Sequence, residues 1–95
     1  MLTCMKTSKQ IERHFKGIAN HWRIEVMFLL ANESGLSLDK IAKSLNANFQ
    51  TMAEHVRRLH QAGLVDKKYH GREVHHSLSP YGKKFISFLR TAQQL

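Results

Sequence analysis

Apolar residues recur at helical spacing over most of the chain and switch to a strand-like period once. From Ser8 to Gly17, Ile11 and Phe15 share one face and Ile18 follows, which predicts a short amphipathic helix ended by Gly17. Asn20 is a suitable cap for a second helix from about His21 to Glu33. That helix holds Trp22, Ile24, Val26, Met27, Phe28, Leu29, Leu30 and Ala31, so it is apolar nearly all round and belongs at the centre of the domain. Asn32 to Leu36 reads as a break. Ser37 then caps a short helix through Leu38, Ile41, Ala42 and Leu45, with Asp39 in the first turn where the helix dipole favours an acid. After Asn46, Ala47 and Asn48, a third amphipathic helix runs from Phe49 to about Ala62, with Gly63 as its stop.

The period then changes. Leu64 to Tyr69 and Glu73 to Leu78 are strand-like runs about His70, Gly71 and Arg72, a β-hairpin. Ser79 followed by Pro80 starts a last helix, on which Tyr81, Phe85, Phe88, Leu89, Ala92 and Leu95 recur at helical spacing. The expectation is a mostly α fold with a β-hairpin wing, in the order α-α-α-α-β-β-α. Residues 1–7 are read as a mobile N-terminal segment and residues 8–95 as one domain.

Wheel positions turn this outline into a candidate site. On the Phe49–Ala62 helix, Phe49, Met52, Val56 and Leu59 gather on one side, to pack on the central helix. Gln50, Thr51, Glu54, Arg57, Arg58 and Gln61 gather on the other. Arg forks onto guanine, Gln onto adenine, and a carboxylate accepts from cytosine N4. An ordinary solvated helix face would also explain a polar stripe. The hairpin immediately downstream favours the nucleic-acid reading, because its basic tip at Arg72 can reach a neighbouring minor groove or its phosphates. Two helices joined by a tight turn, Ser37 to Leu45 and Phe49 to Ala62, form a helix-turn-helix pattern.

Charge sharpens the picture. Among 95 residues, 15 Lys and Arg face seven Asp and Glu, a formal net charge of +8 that favours a polyanionic partner. With 42% apolar residues the chain can build a core, so it is not a disordered basic tail. A domain this small buries only roughly 60–65% of its unfolded surface, so its stability leans on a partner subunit. A single cysteine, Cys4, excludes a disulfide-rich scaffold. It leaves open an intersubunit disulfide, a sensor thiol or an unreactive free thiol. No stretch approaches the roughly 18 apolar residues of a membrane span, and the start lacks a signal-peptide core, which points to the cytoplasm and away from membranes.

From about Phe15 onward the residues carry a family resemblance. Ile18 to Met27 is similar to the "L-A-D-P-T-R-L-R-I-L" opening of ArsR-type winged helix-turn-helix regulators, and Leu36 to Leu45 (LSLDKIAKSL) fits their third helix. Thr51 to Val65 (TMAEHVRRLHQAGLV) resembles "T-V-S-H-H-L-K-x-L-R-x-A-G-L-V" without a gap, and Gly71 to Leu78 resembles the wing pattern "G-R-x-V-x-Y-x-L". MarR- and PadR-type regulators share parts of this, including the run from Leu78 to Gly82. This chain departs from the ArsR pattern with Ala53 and Glu54 where serine and histidine are common, while His55 matches.

The resemblance implies a dimeric transcriptional regulator of double-stranded DNA, a repressor acting by steric exclusion. Arg57, Arg58 and Arg72 would supply electrostatics, Gln50, Thr51 and Glu54 base reading, and His55 a phosphate contact. Glu54 is expected to serve sequence choice, since an acid on this face weakens phosphate binding unless it reads a base or pairs with Arg57 or Arg58. The implied two-fold interface uses the first and last helices, through Ile11, Phe15, Tyr81, Phe85, Phe88, Leu89 and Ala92; packing within one chain would also account for these stripes. The family's metal sites are not expected here. Ser37 and Asp39 stand at the positions of its paired cysteines, and Tyr81 to Arg90 carries no ligand type of its second site. His70, His75 and His76 on the wing could ligate zinc, copper or nickel. Adjacent strand residues point to opposite faces, however, so His75 and His76 fit surface or packing roles better. No cofactor is expected, and no inducer is indicated. The chain has no glycine-rich phosphate loop, nucleophile elbow or paired carboxylates, which argues against an enzyme. The competing reading is a winged-helix module that binds protein or RNA through the same face.

Overall fold

The computed structural model describes residues 5–95; Cys4 lies outside them. Helix α1 spans Ser8–Ile18, α2 His21–Asn32, α3 Leu38–Ser44 and α4 Phe49–Gln61. Strands β1 (Val65–His70) and β2 (Glu73–Leu78) precede α5 (Pro80–Gln93). The fold is the mostly helical, winged arrangement that the patterning predicts. Among the described residues, no helix is long and apolar enough to cross a membrane.

Side-chain caps set the helix starts. Thr7 and Gln10 form a reciprocal capping box at α1, with Thr7 N–H donating to Gln10 Oε1 at 2.8 Å and Gln10 N–H to Thr7 Oγ1 at 3.2 Å. Asn20, Ser37, Asn48 and Ser79 cap α2, α3, α4 and α5 in the same sense, each accepting a first-turn backbone N–H.

Gly17 does not end α1, which continues to Ile18. A Cβ at Gly17 would collide with that of Ala62. The glycine is there so that α1 can lie against the end of α4.

Val26, Met27 and Leu30 of α2 are buried at the centre. Ile41 and Ala42 of α3, Met52, Val56 and Leu59 of α4, Leu64, Val65 and Leu78 of the hairpin, and Phe85 and Ile86 of α5 complete the core with Ile18. The nearly all-apolar α2 is explained by its neighbours, because it contacts α4, β2 and α5. Its remaining apolar residues, Trp22, Ile24, Phe28, Leu29 and Ala31, pack on the core's margin.

The two strands pair antiparallel in one register from Val65↔Leu78 to His70↔Glu73, leaving Gly71 and Arg72 as the loop. Gly71 has φ +63° and Arg72 a negative φ, as expected when glycine takes the first position of a two-residue hairpin turn. The wing has a further anchor that periodicity did not reveal. Leu36 bridges to His76, whose N–H donates to the Leu36 carbonyl at 2.8 Å while its own carbonyl accepts from Gly35 and Leu36. The segment before α3, legible only as a break, thus ties the wing to the helix-turn-helix.

Candidate nucleic-acid interface

The turn between α3 and α4 places the candidate reading helix. Asn46 adopts φ +52°, a left-handed conformation that asparagine tolerates better than most residues. Its N–H donates to Lys43 O and that of Ala47 to Ala42 O, which closes the turn within four residues. Asn48 Oδ1 then accepts from Thr51 N–H at 3.0 Å and from the Thr51 hydroxyl at 3.3 Å. With its proton so engaged, Thr51 Oγ1 can only accept, and its methyl is suited to thymine.

Met52, Val56 and Leu59 fix the roll of α4 by burying one face. Gln50, Thr51, Glu54, Arg57, Arg58 and Gln61 are consequently exposed. Phe49 departs from the wheel reading. It is 48% exposed and lies not on α2 but beside a groove shared with Leu38, Lys67, Tyr69 and Val74. As the first helical residue it projects past the core, toward α3 and the wing.

Glu54 organises the outward face. Arg57 donates through Nε to Oε1 at 3.0 Å and through Nη2 to Oε2 at 2.8 Å, a two-point pair. Arg58 Nε donates to the same Oε2 at 2.9 Å. These hydrogen bonds, Arg57's first and Arg58's second, hold the Glu54 carboxyl down to about 2, so it is ionised throughout the neutral range. Positions three and four residues apart on a helix bring all three side chains onto one patch. Together they carry one net positive charge.

His55 does not join that patch. It is half-buried, its Nδ1 is sealed from solvent without a partner, and its pKa is lowered by burial first and by Arg23 second. Arg72 is exposed at the wing tip, apart from α4, at the end of strands that span roughly 20 Å. Lys67 and Lys68 add exposed charge along β1.

The wing histidines divide as strand alternation requires. His76 is buried and its Nδ1–H donates to the Leu36 carbonyl at 2.9 Å; burial lowers its pKa, partly offset by that bond. His75 faces the other way, with Nε2 at 2.9 Å from Glu73 Oε1 and its ring stacked on His70 at 4.5 Å. Among the described residues, no three His, Cys, Asp or Glu side chains come together as a metal site.

A second surface lies on α1 and α5. Phe15 meets Phe85 at 5.4 Å and Phe88 edge-on at 6.3 Å, while Tyr81 meets Phe85 at 5.4 Å and His14 at 4.3 Å. Phe85 is buried and serves the protomer's own core, and Leu89 is half-buried against it. Ile11, Phe15 and Phe88 remain 39%, 47% and 55% exposed around a shallow cavity of about 310 Å³, and Ala92 is exposed beyond them.

The turn-capped α4, the first strand of the adjoining wing and the central helix α2 occupy the stretch that matches a family model. Residues 20–72, just over half of the chain, match the model of the MarR family. The chain belongs to the MarR family. Its members are transcriptional regulators rather than enzymes, which agrees with the reading of the sequence. No curated protein matches the chain by sequence.

Solved structures share the fold of this MarR-family protein over nearly the whole chain. One is the homodimeric winged helix-turn-helix DNA-binding domain of a possible ArsR-family regulator from Mycobacterium bovis. It superposes with a TM-score of 0.81 at 18% identity, over 97% of this chain and 91% of that one. HlyU from Vibrio cholerae gives 0.82 at 23% identity, over 95% and 98%. An ArsR-like transcriptional regulator from Rhodococcus gives 0.71 at 23% identity, over 90% and 78%. At these identities the likeness is one of fold, and it accords with motifs divided between ArsR- and MarR-type patterns.

Sequence reasoning does not single out Asn48 as the cap of α4, although asparagine immediately before a helix is a signal for one. Nor does it single out Arg23 or Arg13 and Lys16 of α1, whose proximity to Arg58 depends on how α1 crosses α4.

Proposed function

We propose that this MarR-family protein is a dimeric, sequence-specific DNA-binding repressor of the cytoplasm that acts by occluding a promoter. Helix α4 enters the major groove, and the wing lies on the flanking backbone or minor groove. The observation that carries this reading is the outward face of α4, where Gln50, Thr51, Glu54, Arg57 and Arg58 combine base-edge chemistry with positive charge on a helix locked in roll. Gln50, Thr51 and Glu54 read bases; Arg57, Arg58 and Arg72 engage phosphates, with His55 at the margin. Ile11, Phe15, Tyr81, Phe88 and Ala92 pair the protomers, and Phe85 and Leu89 support that surface from beneath. Two copies then present two reading helices to half-sites about one helical turn apart.

Fluorescence anisotropy tests this on the protein's own upstream promoter fragment against a shuffled duplex, at about 150 mM salt, where nonspecific binding is weak. The expected preference for the promoter is about a hundredfold or more. Equal weak binding would reduce the surface to a generic basic one. No binding to either duplex would favour the protein- or RNA-binding module instead.

A further inference from the structure

A second basic site lies where α1, α2 and the end of α4 meet. It is an open cleft of about 410 Å³ walled by Arg13, Lys16, Arg23 and Arg58, with Gly17 and Ala62 among its lining. Among the described residues, no carboxylate lines it. The close approach of Gly17 to Ala62 brings these four cations together, because α1 could not lie so near α4 with any larger residue there.

Their partners are incomplete. Lys16 reaches Glu12 at 3.3 Å, and Arg58 reaches Glu54 at 2.9 Å but shares it with Arg57, so one of the four charges is offset and a second only in part. Arg13 has no ion-pair partner among the described residues, and Arg23 has none either. Arg23 Nη1 donates to the Gly17 carbonyl at 2.9 Å, whereas its Nε is sealed from solvent with no partner. A buried N–H left unpaired is costly, and such groups in native proteins have a reason to exist. Burial and then the neighbouring Arg58 lower the pKa of Arg23, so the positive charges are held together against repulsion.

We propose that this cleft is an oxyanion site that takes a phosphate group between Arg13, Lys16, Arg23 and Arg58. With Arg13 and Arg23 unpaired and Arg58 only partly offset, the positive excess suits a phosphate dianion, and guanidinium forks match phosphate oxygens at two points. Arg58 belongs both to this cleft and to the Glu54 patch, so an anion here competes with Glu54 for one guanidinium. The phosphate is either that of a DNA backbone or that of a free phosphate compound, and the two sources are separable by experiment.

The test uses the full chain and an amide NMR titration with pyrophosphate, against sodium chloride of equal ionic strength. Saturable shifts at Gly17, Arg23 and Ala62, weakened about tenfold or more by Arg13→Gln and unchanged by Lys83→Gln on α5, establish a free-phosphate site. In a second arm, the salt dependence of binding to a mixed-sequence duplex is measured for the wild type and Arg13→Gln. A slope reduced by about one unit assigns the phosphate to DNA. Arg13 is exposed, so its replacement does not threaten the fold. The pyrophosphate arm stands independently of DNA binding, which keeps failure here distinct from failure of the repressor reading. Pyrophosphate shifts no larger than those of chloride, together with an unchanged slope, would overturn the proposal.

Discussion

The outward face of α4 and the aromatic face of α1 and α5 are both exposed, but they are unfinished in opposite ways. On α4 the charges are already paired with one another, two arginines on one carboxylate. A ligand there must exchange partners: on the proposed reading phosphates replace the carboxylate on the arginines, which salt governs, and a base edge replaces the arginines on Glu54. On α1 and α5, Phe15 and Phe88 have aromatic neighbours on one side and solvent on the other. Nothing needs to be exchanged there, and covering the rings is simply favourable. On the proposed reading one surface serves selection and the other attachment, and α1 joins them by resting on α4 at Gly17.

Breaking the attachment surface has the largest expected effect. Phe88→Asp places a charge within the aromatic face, and sedimentation at low micromolar protein should show the dimer giving way to monomer. Promoter affinity should fall by about a hundredfold or more with it, as two linked half-site contacts become separate ones. A wild-type protein already monomeric at every concentration would contradict the role given to this face.

Removing the charges of the selecting surface comes next. Arg57→Ala and Arg58→Ala should each weaken binding to the promoter and the shuffled duplex alike in anisotropy titrations, and each should reduce the salt slope by about one unit. Dimer mass should not change. If dimerisation weakened equally, the two surfaces would not be separate devices.

The joint between them can be strained directly. Gly17→Ala drives a methyl into Ala62 and should cost about 1–3 kcal/mol in thermal or urea unfolding, as overpacked contacts do. An unchanged midpoint would show that α1 does not depend on this contact.

Glu54→Gln sharpens the idea of exchange. Freed arginines should bind the shuffled duplex more tightly while the promoter gains less, so the preference falls by about tenfold. Equal tightening of all duplexes would show that Glu54 moderates affinity without directing choice. The same variant should remove stability that the wild type loses in acid. The Glu54 carboxyl is depressed to about 2 in the folded chain, so its contribution is complete above its ordinary value of 4.5 and is lost as pH falls from there toward 2.

The smallest effect is expected nearer neutrality. His76, and His55 beside Arg23, both have pKa values lowered below 6.5 by burial. Their contribution is complete above about pH 6.5 and declines below it, because the unfolded chain takes up protons first. Melting temperature should therefore drop from pH 7 to pH 5, with a shallower slope in His76→Asn, which can still donate to Leu36. A pH-independent midpoint across that range would contradict this.

What could be read from the sequence follows the distance over which each contact acts. Element order, the polar face of α4 and the pairing of Glu54 with arginine are local, fixed by positions three or four residues apart. His75 and His76 separated onto two faces for the same reason. The misreading of Gly17 has a different origin. Glycine at a helix end and glycine beneath another helix look identical until Ala62 is brought against it. The helical angle of Phe49 alone puts it in the core, whereas its place at the first turn carries it beyond. The Leu36–His76 bridge and the cleft around Arg23 join residues far apart in sequence, and no local pattern announces them.

The central claim is that two copies, joined through α1 and α5, present two α4 helices to one operator. Hydroxyl-radical footprinting of the promoter fragment tests this most directly. The account predicts two protected stretches centred about 34–36 Å apart along one face of the duplex, both lost in Phe88→Asp at matched concentration. A single protected stretch, unchanged by that substitution, would contradict it.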